Sequence, residues 1–213
     1  KVVRYAYLPG TNLMTMKLVG SRNEILQRYF YEYNEENVLV KEIVDDGKNE
    51  NPQDLAGATL RKIKQIAPKK EAPALNLPAV VEEKYWDFAT GAEKLLQKQV
   101  FYYSDNAQVV QEDVYDAQNK LRYTLYTKYD AAGRILTKSD PLGRITAYTY
   151  DAQKNLVQVR AGDSFLLEKR SYDAAHHITA KELAAPESGS RIFKYQYDQD
   201  GRLLAQTDPQ GVV

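Results

Sequence analysis

The chain of 213 residues contains no cysteine. Disulfide frameworks, thiolate nucleophiles and thiolate zinc sites are therefore excluded. No compartment follows from this, because a chain with an adequate core is stable outside the cell without disulfides. An excess of one charge is also missing: 29 Lys and Arg balance 29 Asp and Glu. Coating nucleic acid or an anionic membrane needs a cationic excess, so neither is expected as the main business of this chain. No apolar run approaches the ~18 residues of a membrane span, and no basic-then-apolar start marks a signal peptide. There is no initiator Met at Lys1, and a motif runs almost to Val213, so the chain reads as an excerpt of something longer.

Tyrosine is what the chain has in quantity: 17, against five Phe and one Trp. The mean hydropathy is −0.59. Disordered chains are poor in aromatics, so this is not their signature. Tyr carries an apolar ring and a polar tip, which suits sheets whose faces are partly wet. A thin, β-rich object fits better than a compact globule.

The tyrosines mark an internal repeat. Tyr129-Asp130-Ala131-Ala132-Gly133-Arg134-Ile135 recurs as Tyr197-Asp198-Gln199-Asp200-Gly201-Arg202-Leu203. Weaker copies start at Tyr115, at Tyr150 (with Asp151 and Leu156) and at Tyr172 (with Asp173 and Ile178), and worn ones at Tyr7, Tyr33 and Tyr103. Each carries Leu, Ile or Val six residues on: Leu13, Leu39, Val109 and Leu121 complete the set. An aromatic stands two residues before five of them, at Tyr5, Tyr31, Phe101, Tyr148 and Tyr195. A second motif keeps phase with the first. Asp140-Pro141-Leu142-Gly143 and Asp208-Pro209-Gln210-Gly211 each begin eleven residues after the tyrosine of their copy. Asp, Pro and Gly at first, second and fourth positions are β-turn chemistry.

The unit is therefore strand, turn, strand, turn. A three-residue loop of type I turn plus left-handed residue wants Gly, or failing that Asn, at its third position. Gly133 and Gly201 meet that need, as do Asn37 and Asn119, while Lys154 and His176 are poor choices whose turns are expected to depart from the pattern. In this register Tyr129 opposes Ile135 and Tyr197 opposes Leu203, an aromatic–aliphatic pairing of ~0.2–1 kcal/mol each. The Asp after each Tyr is read as a turn cap. Residues 47–79 break the rhythm with four prolines, and read as an insertion or crossing with one strand near Thr59–Ile66, where a short helix competes through Leu60, Ile63 and Ile66. Trp86-Asp87 reads as a worn Tyr-Asp, in a hairpin turning at Thr90-Gly91.

The pattern Tyr-x-Tyr-Asp-x-x-Gly-Arg-Leu followed by Asp-Pro-x-Gly resembles the YD repeats of RHS-repeat proteins, which occur in bacterial polymorphic toxins, insecticidal toxin complexes and teneurins. The resemblance is strong over Thr127–Gly143, Tyr148–Leu156 and Tyr195–Gly211. It implies an all-β antiparallel ribbon of consecutive hairpins, curved or spiralling as part of a larger shell, commonly around a C-terminal toxin domain. The family's self-cleaving core lies beyond the repeats and nothing here matches it, so Asp140 and Asp208 are turn residues and not proteolytic ones.

Competing readings are weaker. His176-His177, the chain's two histidines, stand where other copies have Gly-Arg. Neighbours in a strand point to opposite faces and do not chelate one ion together, so a decayed, solvated turn is expected. Arg61-Lys62-Ile63-Lys64 and Lys69-Lys70 read as a solvated edge and not as a nucleic-acid patch. Exposed tyrosines could stack on sugar rings, and Tyr102, Tyr123 and Tyr126, which lack an aliphatic mate, are the candidates for a ligand contact.

The expectation is a non-enzymatic structural segment of a secreted or surface shell that encloses or displays a toxin or effector domain, with no catalytic residue, metal or cofactor. The alternative is a tyrosine-lined module for glycan or a partner protein. Hairpins are assigned to residues 1–46 and 80–213, the latter continuing the same sheet, with 47–79 inserted. The expected partners are the rest of a longer chain and an enclosed C-terminal domain, with no nucleic acid and no membrane span. The isolated fragment is expected to self-associate through edge strands at Val2–Tyr7 and Leu203–Thr207.

Overall fold

The computed structural model describes residues 1–162, 165–185 and 189–212, and among these it contains strands and no helix. The chain forms two compact units, Lys1–Thr124 and Leu125–Val213. The first holds β1 (Val2–Tyr7), β2 (Met14–Gly20), β3 (Ile25–Tyr33), β4 (Leu39–Asp45), β5 (Arg61–Pro68), β6 (Pro78–Asp87), β7 (Ala92–Tyr103) and β8 (Val109–Tyr115). Strand β9 (Leu121–Tyr129) runs through the boundary. The second unit continues with β10 (Ile135–Ser139), β11 (Ile145–Tyr150), β12 (Leu156–Ala161), β13 (Phe165–Tyr172), β14 (Ile178–Leu183), β15 (Arg191–Tyr197) and β16 (Leu203–Thr207). Within each unit the strands pair antiparallel in chain order, as an array of successive hairpins.

The hairpin register follows from the repeat. Tyr129 faces Ile135, Tyr150 faces Leu156, Tyr172 faces Ile178 and Tyr197 faces Leu203. Tyr33 and Tyr103 face Leu39 and Val109 in the same way. The first copy differs: Tyr7 faces Met14 and not Leu13. Its loop is one residue longer, closed from the Leu8 amide to the Leu13 carbonyl at 2.8 Å. Beyond each tyrosine pair the register slips by one residue, so the returning strand carries a β-bulge, which turns the hairpin and increases its local twist.

The left-handed position is kept where the pattern places it in the copies that follow the first, while in the longer first turn it falls on Gly10, at φ of 76°. Gly133 and Gly201 have φ of 82° and 79°, Asn37 and Asn119 of 62° and 59°, and Lys154 and His176 of 73° and 69°. The expected departure at Lys154 and His176 therefore does not occur. The capping Asp and the flanking strand pair hold the same turn against the ~1–2 kcal/mol that a side chain costs in this region.

Residues 47–79 supply β5, which lies between β4 and β6, so the helical alternative over Leu60–Ile66 is not taken. In the first unit Met16, Phe30, Ile43 and Ile63 stand side by side across β2–β5 as a ladder of apolar side chains. The next rung is Leu18, Arg28, Asp45 and Arg61. The 46–60 segment folds over that rung. Arg28, fully buried, donates to Asp45 through Nε at 2.5 Å and to the carbonyls of Asn49, Asn51 and Asp54 at 2.9, 2.9 and 3.0 Å. Arg61 donates to the Pro52 carbonyl at 2.7 Å. A buried guanidinium is tolerated only when its donors are all satisfied, and here the segment's carbonyls do it. In the second unit none of the described residues is buried to that degree. Strands β13 and β15 alternate half-buried and exposed residues, with Tyr172, Tyr195 and Tyr197 on the half-buried side.

Candidate functional site

The repeated chemistry lies in the turns and in the junctions between hairpins. In each turn one carboxylate oxygen of the Asp accepts two backbone amides. Asp130 Oδ1 takes Ala132 and Arg134 N–H, both at 2.9 Å. Asp173 does the same with Ala175 and His177, and Asp198 with Asp200 and Arg202. Asn34 substitutes for the carboxylate in its copy. The other oxygen takes the side chain four residues on: Arg134 Nε at 2.6 Å from Asp130 Oδ2, and Asn155 Nδ2 at 3.0 Å from Asp151 Oδ2. The Asp-Pro-x-Gly turns are built identically. Asp140 Oδ1 takes Leu142 and Arg144 N–H while Arg144 Nε reaches Oδ2 at 2.5 Å, and Asp208 caps Gln210 and Val212. Gly143 and Gly211 have φ of 78° and 86°.

These hydrogen bonds favour the charged form of the caps and lower their pKa. The Arg134 amide holds Asp130 below the ordinary carboxylate value, and the His177 amide does the same for Asp173. At Asp140 partial burial pushes the other way and is outweighed by the Arg144 side chain and amide. Carboxylates occupied by amides and guanidinium groups act as braces and not as proton carriers. Among the described residues no group of three or more His, Asp or Glu is placed to share a metal ion.

Successive hairpins are tied by the anchor tyrosines. The Tyr150 hydroxyl donates to the Ile135 carbonyl at 3.0 Å, Tyr172 to Leu156 at 2.8 Å and Tyr197 to Ile178 at 3.1 Å. In each case the acceptor is the aliphatic residue of the preceding hairpin. Tyr33 reaches Met14 at 3.0 Å and Tyr103 reaches Pro78 at 2.7 Å. All five of these junctions share one register. The residue two after the acceptor faces the residue three before the tyrosine: Met16 with Phe30, Val80 with Val100, Thr137 with Ala147, Gln158 with Lys169 and Ala180 with Lys194. The residue after the left-handed position covers the next ring. Arg134 sits over Tyr150 at 4.7 Å from its centroid, and His177 stacks on Tyr197 at 4.7 Å. His177 thus fills the arginine position of its copy, and His176 bonds Asn155 Oδ1 at 2.8 Å. The turn expected to be decayed is intact.

Sequence reasoning found the Tyr–aliphatic pairs and missed the hydroxyl tie, for which the consistent choice of Tyr over Phe at the anchor was the available signal. Tyr148 and Tyr195 face Val159 and Gln206. The Tyr102 hydroxyl bonds Asp113, whose charge raises the tyrosine's pKa. Asp113 also accepts from Thr124 at 2.8 Å and Gln111 at 2.9 Å. Tyr123 is half-buried on β9 and Tyr126 exposed, as their odd spacing along a strand requires.

Capped turns, tyrosine ties and one constant junction register define a repeat protein built of tyrosine–aspartate hairpins. Residues 129–164 and 172–213 match the RHS repeat family, so this part of the chain is built of RHS/YD repeats. No curated protein matches the sequence. Among solved structures it is similar to the crystal structure of TcdB2-TccC3-Cdc42, with a TM-score of 0.52 and 16% identity over 97% of this chain and 12% of that one. It is equally similar to TcdB2-TccC3 without its hypervariable C-terminal region: TM-score 0.52, 10% identity, 97% of this chain and 13% of that one. At these identities the likeness concerns the fold. The chain spans about an eighth of the length of either.

Proposed function

We propose that the chain is a non-enzymatic wall segment of a secreted or surface RHS shell, which encloses or displays another domain of the same longer protein. The observation that supports this most is the constancy of the junction. Five hairpin boundaries share one register and one tyrosine tie, and the recurring polar groups of the repeat are occupied in building it. Such a unit extends by repetition, as an enclosing wall must, since each hairpin contacts only its neighbours. The hairpins of 1–46 and 80–213 are on this reading successive parts of one array, to which 47–79 contributes β5. The likeness to a protein described as having a hypervariable C-terminal region agrees with a constant wall that carries a variable domain.

The test is protease protection in the longer protein to which the segment belongs. With the wall intact, the enclosed domain should resist digestion at protease levels that degrade the same domain expressed alone. Equal susceptibility would reject enclosure. The second reading, a tyrosine surface for glycan or a partner protein, draws on Tyr126, a residue that is 52% exposed. Saccharide binding on a glycan array, lost on Tyr126→Ala, would favour it.

A further inference from the structure

Segment 46–60 joins β4 to β5 and carries chemistry that the repeat does not use. It surrounds the guanidinium of Arg28. A guanidinium group holds five N–H donors in one plane, and here each finds an acceptor of its own. Nε donates to Asp45 Oδ1 at 2.5 Å and Nη2 to Asp45 Oδ2 at 3.1 Å. The other three meet main-chain carbonyls of the segment: Nη1 donates to Asn49 and Asn51, both at 2.9 Å, and Nη2 to Asp54 at 3.0 Å. The flat of the group is fitted as closely. A Cβ at Gly47 would come within 2.3 Å of Cζ, so a residue without one lets the chain pass. The Phe30 ring lies 5.3 Å from the same carbon.

The carbonyls are aimed by the segment's own side chains. Asn49 Oδ1 accepts the Asn51 amide at 2.9 Å, Asn51 Oδ1 the Gln53 amide at 3.0 Å and Asp54 Oδ1 the Ala56 amide at 2.8 Å. Asn49 Nδ2 closes the loop by donating to Asp54 Oδ2 at 2.6 Å. None of these bonds involves Arg28, so the ring of acceptors is organised in advance of its occupant. A planar fork suits it. An ammonium group has three donors and cannot meet five acceptors.

We propose that residues 46–60, with Asp45, form a guanidinium-binding site whose resident ligand is Arg28, and that this occupancy latches the segment over β3–β5. Emptied of the guanidinium, the segment opens as a unit while the strands beneath stay paired. Met16, Phe30, Ile43 and Ile63 hold those strands together without it, and Asp45 keeps a cation in Arg61, whose Nη1 lies 3.4 Å from Oδ2. A guanidinium compound from solution then refills the site and recloses the segment. The site lies outside the hairpin turns and junctions, so the proposal does not depend on the wall reading.

Arg28→Ala removes the side chain beyond Cβ, and ethylguanidinium supplies the atoms that are missing. Trypsin cleavage after the exposed Lys48 reads the opening, because cleavage follows the population of the open form. The variant should be cut at least about tenfold faster than wild type, which is the worth of one charge-assisted hydrogen bond, with an unchanged far-UV circular dichroism spectrum. Millimolar ethylguanidinium should return the rate towards that of wild type and saturate. Tetramethylguanidinium, equally charged but with most of its donors methylated, should not. Arg28→Lys keeps the stem and the charge, and decides the matter if Arg28→Ala does not fold: it too should be cut faster than wild type. Protection of Arg28→Lys equal to wild type would overturn the proposal. So would a folded Arg28→Ala that resists trypsin without ligand, that ethylguanidinium leaves unprotected, or that calcium or tetramethylguanidinium protects equally well.

Discussion

Tyr150→Phe removes one oxygen and leaves the rest of the junction in place. The ring can still lie beneath Arg134, 4.7 Å from its guanidinium carbon, and can still face Leu156 across the hairpin. What goes is the 3.0 Å donation to the Ile135 carbonyl that ties this hairpin to the one before. A hydrogen bond of this kind is worth ~0.5–1.5 kcal/mol net of its exchange with water, and the partly buried setting puts the expected loss near 1 kcal/mol. For a chain of this size that lowers Tm by about 2–4 °C. Burial raises the pKa of the Tyr150 hydroxyl above its ordinary value. A raised folded pKa means that the associated stability is complete below the unfolded value, near 10, and is lost as pH climbs through the raised one. Wild-type protein should therefore lose stability in that alkaline range by more than Tyr150→Phe does. Urea unfolding at pH 7 and at pH 11 measures both effects, with Tyr126→Phe as the exposed control expected to change nothing. Equal stability of the two variants at pH 7 would refute the tie. A loss beyond ~3 kcal/mol would also refute it, because one hydroxyl does not carry that much.

Gly133→Val should cost roughly 1–2 kcal/mol through left-handed strain alone, since the position holds φ of 82°; an unchanged thermal melt would contradict the turn. Gly47→Ala should loosen the 46–60 segment, because its Cβ would come within 2.2 Å of the Arg28 guanidinium; limited proteolysis should then cut within that segment, where wild type resists. Asp46, whose pKa the Thr59 hydroxyl and the Thr59 and Leu60 amides bring down to about 2, should keep the end of the same segment pinned above the ordinary carboxylate range and release it as pH falls through about 2. The lowered turn caps Asp130, Asp140, Asp151 and Asp173 add to this, so the urea midpoint should fall steadily on acidification below pH ~4; a midpoint flat to pH 2 would be inconsistent with capping.

The hairpins were legible because their determinants are local. Tyr129, Gly133 and Ile135 lie within seven residues, and one turn geometry satisfies all three. The identity of the Asp-Pro-x-Gly and Tyr-Asp-x-x-Gly turns was missed because Pro drew attention to the second position, while the shared determinant is the Asp at the first. Lys154 and His176 looked like breaks in the pattern, but a capped turn between paired strands can impose a conformation that intrinsic preference disfavours. The bulge after each aliphatic residue leaves no distinctive residue type, since Leu136, Val157 and Thr179 all occupy it. Least legible was the Arg28, Asp45 and Arg61 rung. It joins three strands and a segment of fifteen residues, and Gly47 was its sole local trace.

The central claim is that one register recurs at the five junctions that carry a tyrosine tie. An isotope-edited NOE spectrum of the chain in solution tests it in a single measurement. Cross-strand contacts should connect Thr137 with Ala147, Gln158 with Lys169 and Ala180 with Lys194, and aromatic protons of Tyr150, Tyr172 and Tyr197 should reach Ile135, Leu156 and Ile178. Contacts displaced by one residue at any of the three junctions, or tyrosine rings that reach none of these aliphatic residues, would contradict the account.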